Sequence, residues 1–203
     1  MKRISDSSFN QLIEVLDTFI VISLRLKIAL KELLCEATYD KGCTILNFGE
    51  KQEIVWFLLD GLLREIRMNK LTLKKNTTWF WLPHHFVYTD PGFFSQQVSE
   101  RAIEVTDYSK TVFISYFQWV TLKEDFKEVE VIMERIRGEH HRLRTEHALD
   151  MNNLSVQERY LDKEQVLNYL FARTQLNYIA DFMGMAPDTL GRLRTRHLGK
   201  RKY

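Results

Sequence analysis

At 203 residues, 45% hydrophobic and 28% charged, the chain has the apolar content of a globular protein and the length of one large domain or two ordinary ones. A net charge of +2 excludes a uniformly basic surface. Two cysteines, Cys35 and Cys43, are too few for a disulfide scaffold or a four-thiolate cluster. A reducing, cytoplasmic setting with both thiols buried and inert is the expectation.

Residues 9–34 carry apolar side chains at Phe9, Leu12, Ile13, Leu16, Phe19, Ile20, Leu24, Ile28, Leu30 and Leu34. Steps of three and four predict one helix or a broken pair. The run Phe19–Leu24, FIVISL, lies between Asp17 and Arg25, far short of the ~20 residues of a membrane span. No small-residue cleavage site follows it, so it reads as a buried helical segment rather than a signal peptide.

From Thr38 to Ser115 short aromatic and β-branched runs alternate with turn residues: CTILNF, IVWFLL, LLREIRM, LTL, TTWFWL, AIEV and KTVFIS. This texture predicts a compact all-β domain, a sandwich or barrel-like roll, with Gly42, Gly49 and Gly61 at hairpin turns. His84 and His85 are adjacent, so on an extended segment they face opposite ways and cannot easily share a metal or haem. A turn with one buried and one exposed ring is expected. Trp79, Trp81, Phe93 and Phe94 read as core ahead of the walls of an apolar effector cavity. Any such cavity is expected to be filled or apolar.

Trp119 to Leu154 is predicted helical. Val129, Met133, Ile136, His140, Leu143 and His147 follow alternating steps of three and four, a heptad seam that needs a partner. The partner is either another element of the chain or the same helix in a second copy. In a parallel dimer each histidine meets its symmetry mate, as a register-setting residue or as a pH-sensitive or metal-bridged pair. Residues 151–154 read as a hinge. Ser155 and Glu158 then form a capping box that starts a new helix.

The most informative stretch is Gln175 to Arg196. Ile179, Ala180, Gly184, Leu190 and Leu193 have the spacing of two crossed helices joined by a turn that needs φ > 0. Pro187 and Asp188 suit the first turn of the second helix. Beyond Asp188 there is no acid, while Arg192, Arg194, Arg196, Lys200, Arg201 and Lys202 supply six cations. An apolar inner face with an all-basic outer face fits a helix lying in the major groove, its cations on phosphates. No nucleophile motif, phosphate-cradling Gly-rich loop or HExxH is present, and no enzyme activity is expected.

These pieces together resemble the Crp/Fnr superfamily of bacterial transcription regulators over nearly the whole chain. The resemblance rests on NFGEKQEIVWFLLDGLLREI (47–66), with Gly49, Glu50 and Gly61 in place, and on LSVQERY (154–160) followed by IADFMGMAPDTLGRLR (179–194). It implies an α+β fold: an N-terminal helix, an antiparallel β-roll of double-stranded β-helix or jelly-roll type, a long dimerisation helix, and an all-α helix-turn-helix domain. The domains implied are 1–118 (helix plus cyclic-nucleotide-binding-like sensor roll), 119–150 (dimerisation helix) and 151–203 (DNA binding, reading the groove with helix 187–197). Thr189 is implied to contact a phosphate, and Asp188 and Arg192 base edges.

Where members of the superfamily bind cyclic nucleotide, this sequence places Thr89, Phe93, Phe94, Ser99, Glu100 and Arg101. Thr89 stands for the ribose-binding Glu, and Ser99 and Glu100 replace the phosphate-binding Arg–Ser pair. No cofactor or metal is therefore expected, and cyclic nucleotide is disfavoured. Only nine residues follow Arg194, so the wing is expected to be missing or vestigial. The partners implied are double-stranded DNA, a second copy of the chain, RNA polymerase and an unidentified small-molecule effector, with no membrane. The competing reading is a ligand-binding or protein-interaction module whose DNA-binding half has decayed.

Overall fold

The computed structural model describes residues 2–200, with side chains through His197. A two-residue strand, β1 (Lys2–Arg3), leads into α1 (Asp6–Asp17), N-capped by Ser5. α2 follows at Leu24–Leu33, N-capped by Ser23. The FIVISL run is therefore not a helix but the break between two. Asp17 Oδ1 accepts from the Ile22 amide at 3.1 Å, closing a loop, and Ser23 donates its amide to Glu128 at 2.8 Å. The β-branched residues Ile20, Val21 and Ile22 resist continuing the helix. Ile22 is buried while Val21 stands out in solvent.

The roll is one antiparallel sheet wrapped on itself. β2 (Cys35–Tyr39) and β3 (Thr44–Leu46) pair with β7 (Arg101–Ser115). β7 pairs with β4 (Ile54–Met68), which also carries β5 (Lys75–Trp81) and β6 (Phe86–Val87). Both long strands are buried on both faces over most of their length, which is why each reads in sequence as two apolar runs. Gly42 (φ 92°) and Gly49 (φ 78°) sit in turns. Gly61 does not. It lies at an irregularity inside β4 with φ 103°, where the register against β7 shifts, and a Cβ there would fall 2.3 Å from Ser109 Oγ. Gly61→Ala is expected to cost about 2 kcal/mol or more, from the left-handed backbone and the clash together. Urea unfolding with an unchanged m-value would measure it.

α3 (Tyr116–Asp125) opens on a complete Ser115–Gln118 capping box. The chain kinks at Phe126 and runs into α4 (Lys127–Asn153). Ser155 and Glu158 form the expected capping box of α5 (Val156–Asp162). Then come α6 (Glu164–Phe171), α7 (Leu176–Phe182) and α8 (Pro187–Lys200). One apolar cluster lies between α1, α2, α3, the first half of α4 and the outer roll, and a second fills the roll around Trp56, Leu58, Leu63 and Trp81. A third joins α5–α8 to the roll through Leu62 and Phe80. The C-terminal module thus shares a core with the roll.

The seam of α4 faces inward. Val129 and Ile136 belong to the first cluster, His140 packs on Tyr88 at 4.5 Å, and His147 stacks on Phe182 at 4.4 Å. Of the residues expected to meet a second copy, Val129 and Ile136 are buried within the chain, whereas Met133, His140, Leu143 and His147 are half-buried, so the stripe is occupied in part by the chain's own roll and helices. Heptad spacing marks a packed stripe, not the identity of the partner. The thiols also differ from expectation. Cys35 is half-buried and Cys43 is exposed at the tight Asp40–Cys43 turn.

Candidate nucleic-acid interface and effector cavity

α7 and α8 cross as a helix-turn-helix. Ile179, Ala180, Met183 and Leu190 are fully buried between them, and Leu193 closes the small core. Gly184 takes φ 59° in the turn, and the Met185 amide donates to the Ala180 carbonyl at 3.1 Å, stopping α7. On α8 the inner stripe is Leu190 and Leu193, both buried, and the half-buried His197, which stacks on Tyr160 at 5.0 Å. The opposite stripe carries Asp188, Arg192 and Thr195, flanked by Gly191 and Arg196, and these form an open concave face with Leu176 and Pro187. Among the described residues no carboxylate pairs with Arg192, Arg194 or Arg196.

The predicted residues do not share one surface. Arg192 and Arg196 point outward, whereas Arg194 lies on the flank with its guanidinium 4.3 Å over Phe171. Thr189 is half-buried beside the core. The Lys200 side chain, Arg201 and Lys202 lie outside the described residues. Thr195, not among the residues expected at the interface, also stands on the outer stripe. Its helical phase, seven residues after Asp188, is the signal that would have found it.

α7 itself rests on the roll. The Thr77 amide donates to Asp181 Oδ2 at 3.2 Å and the Arg64 guanidinium lies 3.4 Å over Tyr178, while from the neighbouring α6 the Tyr169 hydroxyl donates to the Gly61 carbonyl at 3.0 Å. Arg64 is in turn gripped by Glu104 at 3.0 and 3.1 Å.

A cavity of about 460 Å³ opens between the roll and α4, walled by Tyr88, Phe94, Arg101, Arg137, His140 and Arg144. It is open and charged, not filled or apolar as expected. Thr89, Phe94 and Arg101 reach it, but the other expected residues do not. Phe93 is core, and Glu100 is exposed beside Lys70. Ser99 is consumed in a buried network, donating to Thr89 Oγ1 at 2.9 Å, while the Thr89 amide donates to Gln52 at 2.9 Å.

Beneath the cavity lies Glu65, fully buried on β4. Arg144 of α4 grips it in two bonds of 2.7 and 2.8 Å, Thr78 donates at 2.7 Å, and Arg101 stands 3.3 Å away. Burial opposes the Glu65 charge, yet Arg144 and Arg101 outweigh it and hold the carboxyl below the usual range. The sequence did carry a hint. Arg64 and Glu65 are adjacent in a strand whose two faces are both buried, so one charge had to point each way.

Burial, with Arg144 beside it, pushes the His140 imidazole down to about 3. Burial and nearby Lys163 bring His147 to about 4. Neutral His140 then accepts from Arg144 Nε at 3.1 Å. Below about pH 6.5 the unfolded chain protonates these rings while the folded chain does not, so stability falls as pH drops toward about 4 and then 3. The loss is at most about 1.4 kcal/mol per pH unit for each ring, and less for His147, which keeps a solvent-facing edge. Thermal midpoints from pH 7 to pH 5 should fall, and His147→Phe should shallow the fall.

No protein-family model and no curated protein sequence matches the chain. Solved structures do. FixK2 from Bradyrhizobium japonicum aligns with a TM-score of 0.72 at 15% identity, covering 83% of this chain and 86% of that one. The c-di-GMP responsive global regulator CLP from Xanthomonas campestris aligns at 0.65 and 12%, over 88% and 93%. The catabolite activator protein of Thermus thermophilus aligns at 0.54 and 14%, over 92% and 87%. At these identities the likeness establishes the fold, a Crp/Fnr-like roll with a helical C-terminal region. The proteins it is shared with are regulatory. Among the described residues no helix is long and apolar enough to cross a membrane.

Proposed function

We propose that this chain is a DNA-binding transcription regulator of Crp/Fnr type, reading the major groove with α8 under control of an effector in the cavity between roll and α4. The observation that carries the reading is the α8 ridge: an inner face sealed by Leu190 and Leu193, and an outer face on which Arg192 and Arg196 pair with no carboxylate among the described residues. Such a ridge matches the geometry by which helix-turn-helix proteins meet phosphates and base edges. The effector is proposed to be other than a cyclic nucleotide. Thr89 and Ser99 spend their hydroxyls on each other and on backbone, and Arg101 and Arg144 are committed to Glu65.

A homodimer is proposed through the outer face of α4, in place of its inner seam. Val131, Gly138 and Thr145 recur every seven residues there, Leu149 follows, and nothing lies within 4 Å of a Cβ built on Gly138, so a second helix can approach closely. Two α8 ridges related by a two-fold axis would then address paired half-sites.

The reading is tested by fluorescence anisotropy of the chain with a short random-sequence duplex at rising salt. Measurable affinity at low salt with a steep negative slope of log K against log salt is expected. No binding even at low salt would favour the module with a decayed DNA-binding half.

A further inference from the structure

The cavity between the roll and α4 carries charge of both signs. The guanidiniums of Arg101, Arg137 and Arg144 are balanced by the carboxylates of Asp90, Glu134 and the buried Glu65 beneath, so the site as a whole is close to neutral. The pairing within it is uneven. Arg144 and Glu65 are spent on each other. Asp90, on the segment after β6, makes no hydrogen bond or ion pair among the described residues. Arg137 faces it from α4, with one long contact to Glu134 at 3.4 Å and its other donors unspent. An unpaired acid on the roll and an underused guanidinium on α4 thus border the same space.

Tyr88 lines that space two residues before Asp90. Its ring is buried, edge-on to Phe94 at 4.9 Å and against His140 at 4.5 Å, yet its hydroxyl makes no hydrogen bond among the described residues and is not sealed from the cavity. Burial, and then the Asp90 charge, push the phenol up, while Arg137 and Arg144 pull it back. The oxygen therefore lies within the field of both walls, neutral and able to donate.

We infer that this cavity binds a small zwitterion of the α-amino-acid type. Its ammonium sits on Asp90, its carboxylate on Arg137 and the Tyr88 hydroxyl, and its side chain against the rings of Phe94 and His140. The inference rests on reading this cavity as the effector site, and names the class of effector. A zwitterion leaves neither Asp90 nor Arg137 unmatched, whereas an anion alone meets the Asp90 charge and a cation alone meets the guanidiniums. A volume of about 460 Å³ admits even the bulkier amino acids. Because Asp90 belongs to the roll and Arg137 to α4, the guest bridges the two bodies and favours the arrangement in which α4 lies on the roll.

The test uses three probes with one aromatic body and different charges: L-phenylalanine, 3-phenylpropanoate and phenethylamine. Each is titrated into the full-length chain by calorimetry at neutral pH. L-Phenylalanine is expected to saturate at one per chain and to bind about fivefold or more tighter than either analogue, the worth of one partly exposed charge contact. Asp90→Asn should weaken L-phenylalanine by about fivefold and leave 3-phenylpropanoate no weaker. Arg137→Gln should weaken L-phenylalanine likewise and spare phenethylamine. Tyr88→Phe keeps the ring packing and should cost about fivefold, one hydrogen bond. Asp90 and Arg137 are exposed, so their replacement leaves the core intact, and thermal unfolding checks each variant. L-Phenylalanine that binds no tighter than the analogues, that binds undiminished to both Asp90→Asn and Arg137→Gln, or that does not bind at millimolar concentration would overturn the proposal. Failure of the wider reading looks different. If bound L-phenylalanine leaves duplex affinity unchanged, the zwitterion site stands and effector control of α8 falls. If 3-phenylpropanoate alone binds and shifts duplex affinity, the control stands and the zwitterion falls.

Discussion

Arg144→Ala is expected to cost about 3–5 kcal/mol of folding stability and to lower the thermal midpoint by roughly 6–20 °C for a chain of this size. The reason is the carboxylate left behind rather than the arginine removed. Glu65 has no solvent exposure, and Arg144 makes two of its four charged or hydroxyl contacts. Without Arg144 the charge keeps only Arg101 at 3.3 Å and the Thr78 hydroxyl, too little to offset its desolvation. The same logic makes the double change Glu65→Leu with Arg144→Met far milder than Arg144→Ala alone, because no buried charge is stranded. Chemical denaturation of the three proteins measures this. Equal losses for the single and double variants would show that the pair matters through packing instead. Arg144 also ties α4 to the roll beside the cavity, so its loss should loosen the second half of α4 before the rest of the fold, as hydrogen exchange would report.

Arg192→Ala with Arg196→Ala should flatten the salt dependence of duplex binding. Each phosphate contact contributes about 0.9 to the slope, so two lost contacts remove about 1.8 per chain. Arg194→Ala should behave differently. Its guanidinium lies over Phe171, so its loss should cost about 0.5–1 kcal/mol of stability in the helical module and change the slope less. The sequence treats the three arginines alike; the structure separates them. Equal slopes for the double variant and the unaltered chain would remove α8 from the interface.

Much of this was legible in the residues themselves. The helix-turn-helix was readable because Ile179, Ala180, Gly184, Leu190 and Leu193 each meet a local demand, a close crossing or a left-handed turn, that few other residues satisfy. The Ser155 capping box was readable because its reciprocal bonds need only four consecutive residues. What the sequence left open depends on distant partners. The FIVISL run is as apolar as a helix interior, and only the Asp17 and Glu128 contacts show that it is a break. The α4 stripe has one period whether it packs on a roll or on a twin. The cavity was least visible, since Tyr88, Arg101 and Arg144 come from three separate segments that only the folded sheet assembles. Glu65 was lost inside an apolar run, where a single carboxylate reads as an interruption rather than an anchor.

The most direct test is to map backbone amide shifts of the isotopically labelled protein as a short duplex is added. The account predicts the largest changes along Asp188, Arg192 and Thr195 and at the start of α7, fading through the roll. Changes centred on the roll or the outer face of α4, with α8 unmoved, would contradict it.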